Sequence, residues 1–103
     1  VVIFDVEGEI RRSDMPQQTL HSLVEAQLDR GRRKVLVNLG GVAFIDSFGV
    51  GQILASYTST QNLGGTFKLC GISKRLLLIF QITMLDKVIE IHDECDRALE
   101  SFV

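Results

Sequence analysis

The sequence predicts a small α/β domain built on a largely parallel sheet. Short apolar segments rich in β-branched residues alternate along the chain with segments whose apolar residues recur at helical spacing. One helix separates each predicted strand from the next, and such crossovers place successive strands parallel. The chain has 103 residues, of which 46% are hydrophobic. We therefore expect a single domain over residues 1–103, with four strands and helices packed against them.

The first predicted strand and the first helix are separated by a polar stretch. The strand covers Val1–Val6 and is predicted to end at Glu7-Gly8-Glu9. Ser13 or Asp14 offers a side-chain oxygen that can cap a helix, and Pro16 suits its first turn. The apolar stripe of this helix consists of Leu20, Leu23, Val24 and Leu28.

The second strand and the second helix follow a glycine. Gly31 can adopt the left-handed conformation that ends a helix. Val35–Leu39 is an apolar strand of the kind that is usually covered on both faces, and Gly40-Gly41 is predicted to break it before Val42–Ile45. Asp46-Ser47 marks the start of a helix that Gly64-Gly65 ends. Its inward face is predicted to carry Val50, Ile53, Leu54 and Tyr57.

The remaining elements continue the alternation. Their predicted bounds are a strand over Thr66–Ile72, a helix over Lys74–Ile82 that Ser73 caps, a strand over Val88–Ile91, and a helix that Asp93 caps. The last helix carries Ala98, Leu99 and Phe102 on its apolar side.

Charge and hydropathy exclude two classes of partner. The formal net charge is −2 and the sequence pI is about 5.6, so we expect no direct contact with DNA. The longest uninterrupted apolar run, Leu76–Phe80, is far shorter than the ~20 residues that span a bilayer, so we expect no membrane insertion. Val1–Asp5 lacks the basic region of a signal peptide, which favours a cytoplasmic protein. Because the chain does not begin with Met, we also expect a trimmed N-terminus.

The two cysteines are predicted to be free and buried. Cys70 and Cys95 are too few and too far apart for a disulfide scaffold or a zinc knuckle. Both lie in apolar periodic segments, where a free cysteine behaves as a small hydrophobe and fits a reduced cytosolic compartment. His92 to Cys95 are residue types that can bind metals, but a helix cap explains them better. We therefore expect no metal site and no cofactor.

Residues 76–85 leave two interpretations open. Leu76–Phe80 is apolar on every side of its turn, with Ile82, Met84 and Leu85 beyond it. A helix that is apolar all round is typically buried in the core. At the edge of so small a domain, it can instead present an exposed patch for a partner or a second copy of the chain.

The stretch from Gly41 to Gly51 is the most informative for function. Asp46 or Ser47 can accept a hydrogen bond from a free backbone N–H at the helix start. Gly49 and Gly51 follow in the first turns, where each costs about 1 kcal/mol against Ala. Such glycines indicate close approach of another backbone or of a partner, although an ordinary capped helix packed tightly on the sheet is the alternative. The spacing matches neither common phosphate-binding glycine pattern.

Several segments together resemble the STAS domain family, which is named for sulfate transporters and anti-sigma factor antagonists. Val35-Leu36-Val37-Asn38-Leu39, followed by Phe44 to Gly51, resembles the family's apolar strand and its Asp-Ser-Ser/Thr-Gly-Leu-Gly motif. Gly8-Glu9-Ile10 and Gly64–Ser73 resemble two further family segments. The resemblance runs from about Val2 to Ala98 and implies the STAS fold, which usually opens with one more strand, giving five in a full-length domain.

Three positions depart from the family pattern. Arg11 stands where Asp is usual after Gly-Glu-Ile, and Asn38 replaces the usual Asp near the strand end. Phe48 replaces the usual second Ser or Thr, which puts a large apolar side chain beside Ser47. This last change alters the surface that a partner would meet.

The resemblance implies a regulatory binding module and not an enzyme. In the antagonists that this chain resembles, the serine after Asp is phosphorylated by an anti-sigma factor that is a serine kinase of the ATP-binding type, and here that residue is Ser47. We expect the partner to contact Asp46, Ser47, Phe48, Gly49 and Val50. The alternative is a scaffold subunit of the same fold, not switched at Ser47, in a sensor complex or a membrane transport system.

Overall fold

Four parallel strands form one sheet in the order β1-β2-β3-β4. The structure, a computed structural model, describes residues 1–10 and 19–102. The strands are Val2–Ile10 (β1), Lys34–Ile45 (β2), Thr66–Cys70 (β3) and Glu90–His92 (β4). Each crossover between neighbouring strands contains a helix, as the parallel arrangement requires. The predicted α/β class with four parallel strands is confirmed.

Within residues 1–10 and 19–102, four α-helices and one short 3₁₀ helix connect and follow the strands. Their bounds are Leu20–Asp29 (α1), Ser47–Asn62 (α2), Lys74–Ile82 (α3), Leu85–Lys87 (3₁₀) and Cys95–Glu100 (α4). Thr19 caps α1 by accepting a hydrogen bond from the Ser22 backbone N–H at 3.2 Å. Gly31 has φ of 86°, which confirms its predicted left-handed conformation. Ser13, Asp14 and Pro16, predicted at the start of this helix, lie outside the described residues.

Two predicted strand breaks are wrong. β1 continues through Glu7-Gly8-Glu9, and β2 continues through Gly40-Gly41. The two segments pair with each other in the sheet, with Glu7 opposite Gly41 and register shifts on both sides of this region. Pairing between the two strands therefore continues through both glycine-containing segments. The register shifts are local irregularities of the bulge type and do not end either strand.

Other bounds differ by a few residues. β3 ends at Cys70 and not at Ile72, because Gly71 has φ of 70° and turns the chain away. β4 covers Glu90–His92 instead of Val88–Ile91. The predicted cap by Asp93 is wrong, since Glu94 occupies the N-cap position of α4 without a side-chain hydrogen bond.

The two faces of the sheet are covered unequally. The larger cluster of buried residues joins one face to α1, α2 and α3; it includes Val24, Leu28, Val35, Val37, Leu39, Ile53, Phe67, Leu69, Leu76 and Phe80. On the opposite face, a smaller cluster joins the sheet to α4 and consists of Leu36, Cys70, Ala98 and Phe102. Alternate residues of β2 point to opposite faces, so Val35 and Val37 belong to the first cluster and Leu36 to the second.

The predicted inward face of α2 is confirmed at Val50, Ile53 and Tyr57 and is wrong at Leu54. The buried residues of α2 are Gly49, Ile53, Ser56 and Thr60, whereas Leu54 is 40% exposed. The hydroxyls of Ser56 and Thr60 donate to the backbone carbonyls of Gln52 and Ser56, four residues earlier. Two polar side chains are thus buried with their hydroxyl groups hydrogen-bonded. A helix face predicted from apolar residues alone does not include such side chains.

The prediction of two free cysteines is also wrong. Cys70 and Cys95 form a disulfide with an S–S distance of 2.01 Å and a Cα–Cα distance of 4.9 Å. Cys70 is the last residue of β3 and Cys95 the first of α4, and both belong to the side of the sheet that α4 covers. Twenty-five residues separate them in sequence, but α3 and β4 return the chain to the end of β3.

Candidate functional site

The site begins where β2 passes into α2. Ile45, the last residue of β2, is buried in the large core cluster and fixes the end of the strand. Asp46 has extended backbone angles, and its Oδ1 atom accepts a hydrogen bond from the Gly49 backbone N–H at 3.0 Å. This bond satisfies one of the free donors of the first helical turn. The predicted cap at Asp46 is confirmed, and it places Ser47 as the first residue of α2.

Ser47 lies on the outward face of α2. Residues four, seven and eleven positions later share this face, and all are exposed: Gly51, Leu54 and Thr58. A Cβ atom built on Gly51 would have no heavy atom within 4 Å. Contacts within the described chain therefore do not require glycine at this position.

The other predicted contact residues are less accessible than Ser47. Gly49 is buried between α2 and the sheet, and Val50 packs against the large core cluster. Asp46 and Phe48 are partly exposed. Direct contact of all five residues with a partner stays a prediction, and the buried Gly49 is the least accessible of them.

A second polar arrangement lies midway along β1 and β2, level with the end of β3. Asn38 donates from Nδ2 to Asp5 Oδ1 at 2.9 Å and accepts at Oδ1 from the Gly40 backbone N–H, also at 2.9 Å. A Cβ atom on Gly71 would lie 2.6 Å from Asn38 Oδ1, so the turn after β3 closes tightly over the amide. These contacts require a donor as well as an acceptor, which explains Asn in place of the Asp usual in the resembled family.

Neither histidine has the geometry of a hydrolytic triad. His21 Nε2 lies 2.9 Å from Ser59 Oγ and 3.1 Å from Glu25 Oε1. His92 Nε2 lies 2.6 Å from Glu90 Oε2 and 3.5 Å from Ser101 Oγ. In a triad, the carboxylate and the hydroxyl occupy different ring nitrogens, whereas here one nitrogen faces both.

His21 is also far from Ser47. Its partner Ser59 lies twelve residues along α2 from Ser47, which corresponds to about 18 Å of helix. This contact joins α1 to α2, together with a hydrogen bond from the His21 backbone N–H to Gln52 Oε1. The described contacts of His21 thus belong to helix packing.

A buried lysine was missed in the sequence. Lys68 is 6% exposed, and its Nζ atom lies 2.7 Å from Glu90 Oε2, 2.6 Å from Ser101 Oγ and 4.7 Å from the centre of the Phe102 ring. The hydrogen bonds from Lys68 and then from His92 lower the pKa of Glu90 from 4.5 to about 2. The available signal was the lone cation within the otherwise apolar segment Phe67–Cys70.

Residues 76–85 divide between the two interpretations of the sequence. Leu76 and Phe80 are fully buried, whereas Leu78 is 56% and Ile82 73% exposed. Met84 is exposed as well. The segment thus packs one side into the core and leaves an apolar ridge outside, and assembly through this ridge stays a prediction.

The part of the chain that the structure describes holds neither a metal-binding cluster nor a membrane-spanning helix. Within residues 1–10 and 19–102, no group of three or more His, Cys, Asp or Glu residues could hold a metal ion. Of the helices in this described part, none combines the length and the apolar character needed to cross a bilayer.

Known proteins resemble this chain in sequence and in fold. The anti-sigma-B factor antagonist of Bacillus subtilis is 36% identical over 98 residues, which cover 93% of this chain and 85% of that protein. A Thermotoga neapolitana protein, provisionally named an anti-sigma factor antagonist, is 37% identical over 73 residues, or 71% of this chain. The match spans 65% of the length of that relative.

A solved structure shares the architecture over nearly the whole chain. The crystal structure of a Thermotoga maritima protein, also provisionally named an anti-sigma factor antagonist, superposes with a TM-score of 0.81 and 25% identity. The superposition covers 96% of this chain and 84% of that one. The profile of the STAS domain matches residues 1–98. With the strand order, the capped Asp46-Ser47 turn and these similarities in agreement, the chain belongs to the STAS domain family.

Proposed function

We propose that this chain is a regulatory binding module of the anti-sigma factor antagonist kind, switched by phosphorylation of Ser47. The observation that carries the proposal is the exposed position of Ser47 at the start of α2, within the Asp46-Ser47-x-Gly49 motif. A kinase can reach this hydroxyl without unfolding the helix. The module is one STAS domain over residues 1–103, and its role is binding and not catalysis.

A phosphate on Ser47 is compatible with the fold. The first turn of a helix has free backbone N–H groups and the positive end of the helix dipole, and both favour an added anion. Phosphorylation adds a charge of about −1.5 to −2 to a chain whose formal net charge is −2. The phosphate therefore acts by charge and bulk against a partner surface, and not by unfolding the domain.

The proposed partner is an anti-sigma factor that is also a serine kinase of the ATP-binding type. The Bacillus subtilis relative, named an anti-sigma-B factor antagonist, supports the choice of an anti-sigma factor as the partner. The contact surface includes Asp46–Val50 and continues along the outward face of α2 through Gly51 and Leu54. We place this switch in the cytoplasm, with a protein partner and no direct contact with DNA.

Phosphorylation followed by mass spectrometry tests the proposal. The full chain is incubated with ATP and the kinase encoded beside its gene, and the modified residue is identified by peptide sequencing. We expect phosphate on Ser47 and none in the Ser47→Ala variant. Ser73 is a matched internal control, since it is an exposed serine next to a helix start like Ser47 but caps α3. Absence of phosphate from Ser47, with kinase binding unchanged by Ser47→Asp, would contradict the proposal.

A scaffold that is not switched at Ser47 is the second candidate. Phe48 favours it, because this partly exposed aromatic residue replaces the small hydroxyl usual in the antagonist motif. Such a subunit would form a lasting complex within a sensor assembly or a transport system. A complex whose dissociation rate is the same for the wild type and for Ser47→Asp would support the scaffold.

A further inference from the structure

α4 is too short to be stable by itself. It has six residues, Cys95–Glu100, whereas isolated helices shorter than about 12 residues are marginal in water. Its N-cap residue, Glu94, makes no side-chain capping bond. The helix covers only a small cluster on its face of the sheet, in which Leu36 and Cys70 lie beneath Ala98 and Phe102. Contacts at its two ends therefore add to this packing in holding it in place.

Different chemistry holds the two ends. At the start of α4, the disulfide joins Cys95 to Cys70 at the end of β3. After the end of the helix, Lys68 Nζ donates to the Ser101 carbonyl at 3.0 Å, and Lys34 Nζ donates to the Phe102 carbonyl at 3.2 Å. The N-terminal connection is covalent and can be opened by a thiol, whereas the C-terminal one is not sensitive to reductants.

We propose that Cys70–Cys95 is a thiol–disulfide exchange site whose reduction releases the start of α4 from the sheet. The reductant is a protein dithiol. Its thiolate attacks Cys95 Sγ, because Cys95 is partly exposed whereas Cys70 is fully buried. The S–S bond breaks, Cys70 leaves as a thiolate that takes up a proton, and a mixed disulfide forms on Cys95. The second thiol of the reductant then attacks the reductant's first sulfur atom in that mixed disulfide. This step yields the oxidised reductant and releases Cys95, which takes up a proton and becomes a free thiol.

Release changes one face of the sheet and leaves the other intact. α1, α2 and α3 pack on the opposite face through a separate and larger cluster, so the domain keeps its main core. Leu36 and Cys70, both fully buried beneath α4, become accessible when the helix moves away. A redox reaction thereby exposes an apolar surface remote from the outward face of α2.

This inference does not depend on the proposed phosphorylation. Disulfides in a reducing cytoplasm are usually transient or redox-sensing, and that expectation fits the cytoplasmic placement. The test nevertheless uses the chain alone, without kinase or ATP. Its failure would leave the role of Ser47 untouched, and failure of the phosphorylation test would leave the exchange site untouched.

Thiol counting and amide hydrogen exchange test the proposal. The air-oxidised full chain should take up no maleimide, and the same chain after treatment with dithiothreitol should take up two. In the reduced chain, the amides of residues 95–102 should exchange about tenfold faster or more, as expected for local opening. The amides of Val35–Val37 in β2 should keep their slow exchange.

A variant provides the matched control. Cys95→Ser removes the bond at the partly exposed end and leaves the buried Cys70 in place. The amides of residues 95–102 in this variant should exchange at the rate measured for the reduced wild type. This rate should be the same with and without reductant. Three outcomes overturn the proposal: two reactive thiols in the air-oxidised chain, unchanged exchange of α4 after reduction, or equal acceleration in β2, which would show unfolding of the whole domain.

Discussion

Asn38 shows how one side chain joins three parts of the fold. It donates to Asp5 of β1, accepts from the Gly40 backbone of β2, and lies under the turn at Gly71. Asp at this position could accept from Gly40 but could not donate to Asp5. The departure from the family pattern was visible in the sequence, but its cause was not, because Asp5 and Asn38 meet only when β1 and β2 pair.

Asn38→Asp should destabilise the domain by about 1 kcal/mol at pH 7, since a hydrogen bond is lost and two carboxylates face each other at an exposed site. The cost should shrink at high salt, because salt screens the repulsion between two exposed carboxylates. Urea unfolding of the oxidised chain at low and at high ionic strength measures it. Asn38→Ala is the control, because it loses the bond without adding a charge. Equal salt dependence of the two variants would contradict this explanation.

Substitution by Ala should have opposite effects on stability at Gly51 and at Gly71. Gly71→Ala should cost at least about 2 kcal/mol, because φ is 70° and the added Cβ would lie 2.6 Å from Asn38 Oδ1. Gly51→Ala should instead stabilise the chain by up to about 1 kcal/mol, because its Cβ meets nothing and Ala favours a helix. Thermal unfolding of both variants under oxidising conditions compares them.

Gly51→Ala also separates folding from partner binding. If the partner approaches the backbone of α2 at Gly51, the extra methyl group should weaken binding of the kinase by about tenfold. Titration of the wild type and of the variant with the kinase measures this ratio. A variant that is more stable and binds as tightly as the wild type would place the contact elsewhere on the module.

At the level of elements, the caps of α2 and α3 form a natural pair. Asp46 Oδ1 accepts from the Gly49 N–H at 3.0 Å, and Ser73 Oγ accepts from the Leu76 N–H at 3.2 Å. Asp46→Ala and Ser73→Ala should each cost about 0.5–2 kcal/mol in the free energy of unfolding. Only Asp46→Ala should also weaken binding of the kinase, because Ser73 starts a different helix. Equal loss of binding in both variants would indicate that stability alone governs the affinity.

Local capping signals were sufficient to predict the bounds of one helix completely. Ser73 and the apolar run after it predicted α3 over Lys74–Ile82, and the structure has these bounds. Glycines misled the prediction at Gly8 and at Gly40-Gly41, where β1 and β2 pair through the irregular region. The disulfide was missed for a related reason, since a separation of 25 residues says nothing about which segments meet in space.

At the scale of the whole molecule, the sequence was sufficient to predict a parallel sheet. It was not sufficient to predict that helices cover the two faces of this sheet unequally. Alternation of strands and helices predicts parallel strands, and all three strand pairs are parallel. It does not predict that α1, α2 and α3 share one face while α4 covers part of the other. The buried Lys68 follows from that division, because its long side chain passes beneath α4 and reaches Ser101 and Glu90 at the edge.

The ion pair beneath α4 makes the stability of the domain depend on pH. The pKa of Glu90 is lowered from 4.5 to about 2 by Lys68 and His92, so its contribution is complete above pH 4.5 and is lost as the pH falls towards 2. Glu90→Gln should therefore be less stable than the wild type at pH 7, with a difference that declines between pH 4.5 and pH 2. Glu100→Gln, at an exposed position of α4, is the matched control. Urea midpoints of the three oxidised chains across this range measure the effect, and a constant difference between Glu90→Gln and the wild type would show that the charge of Glu90 does not hold α4.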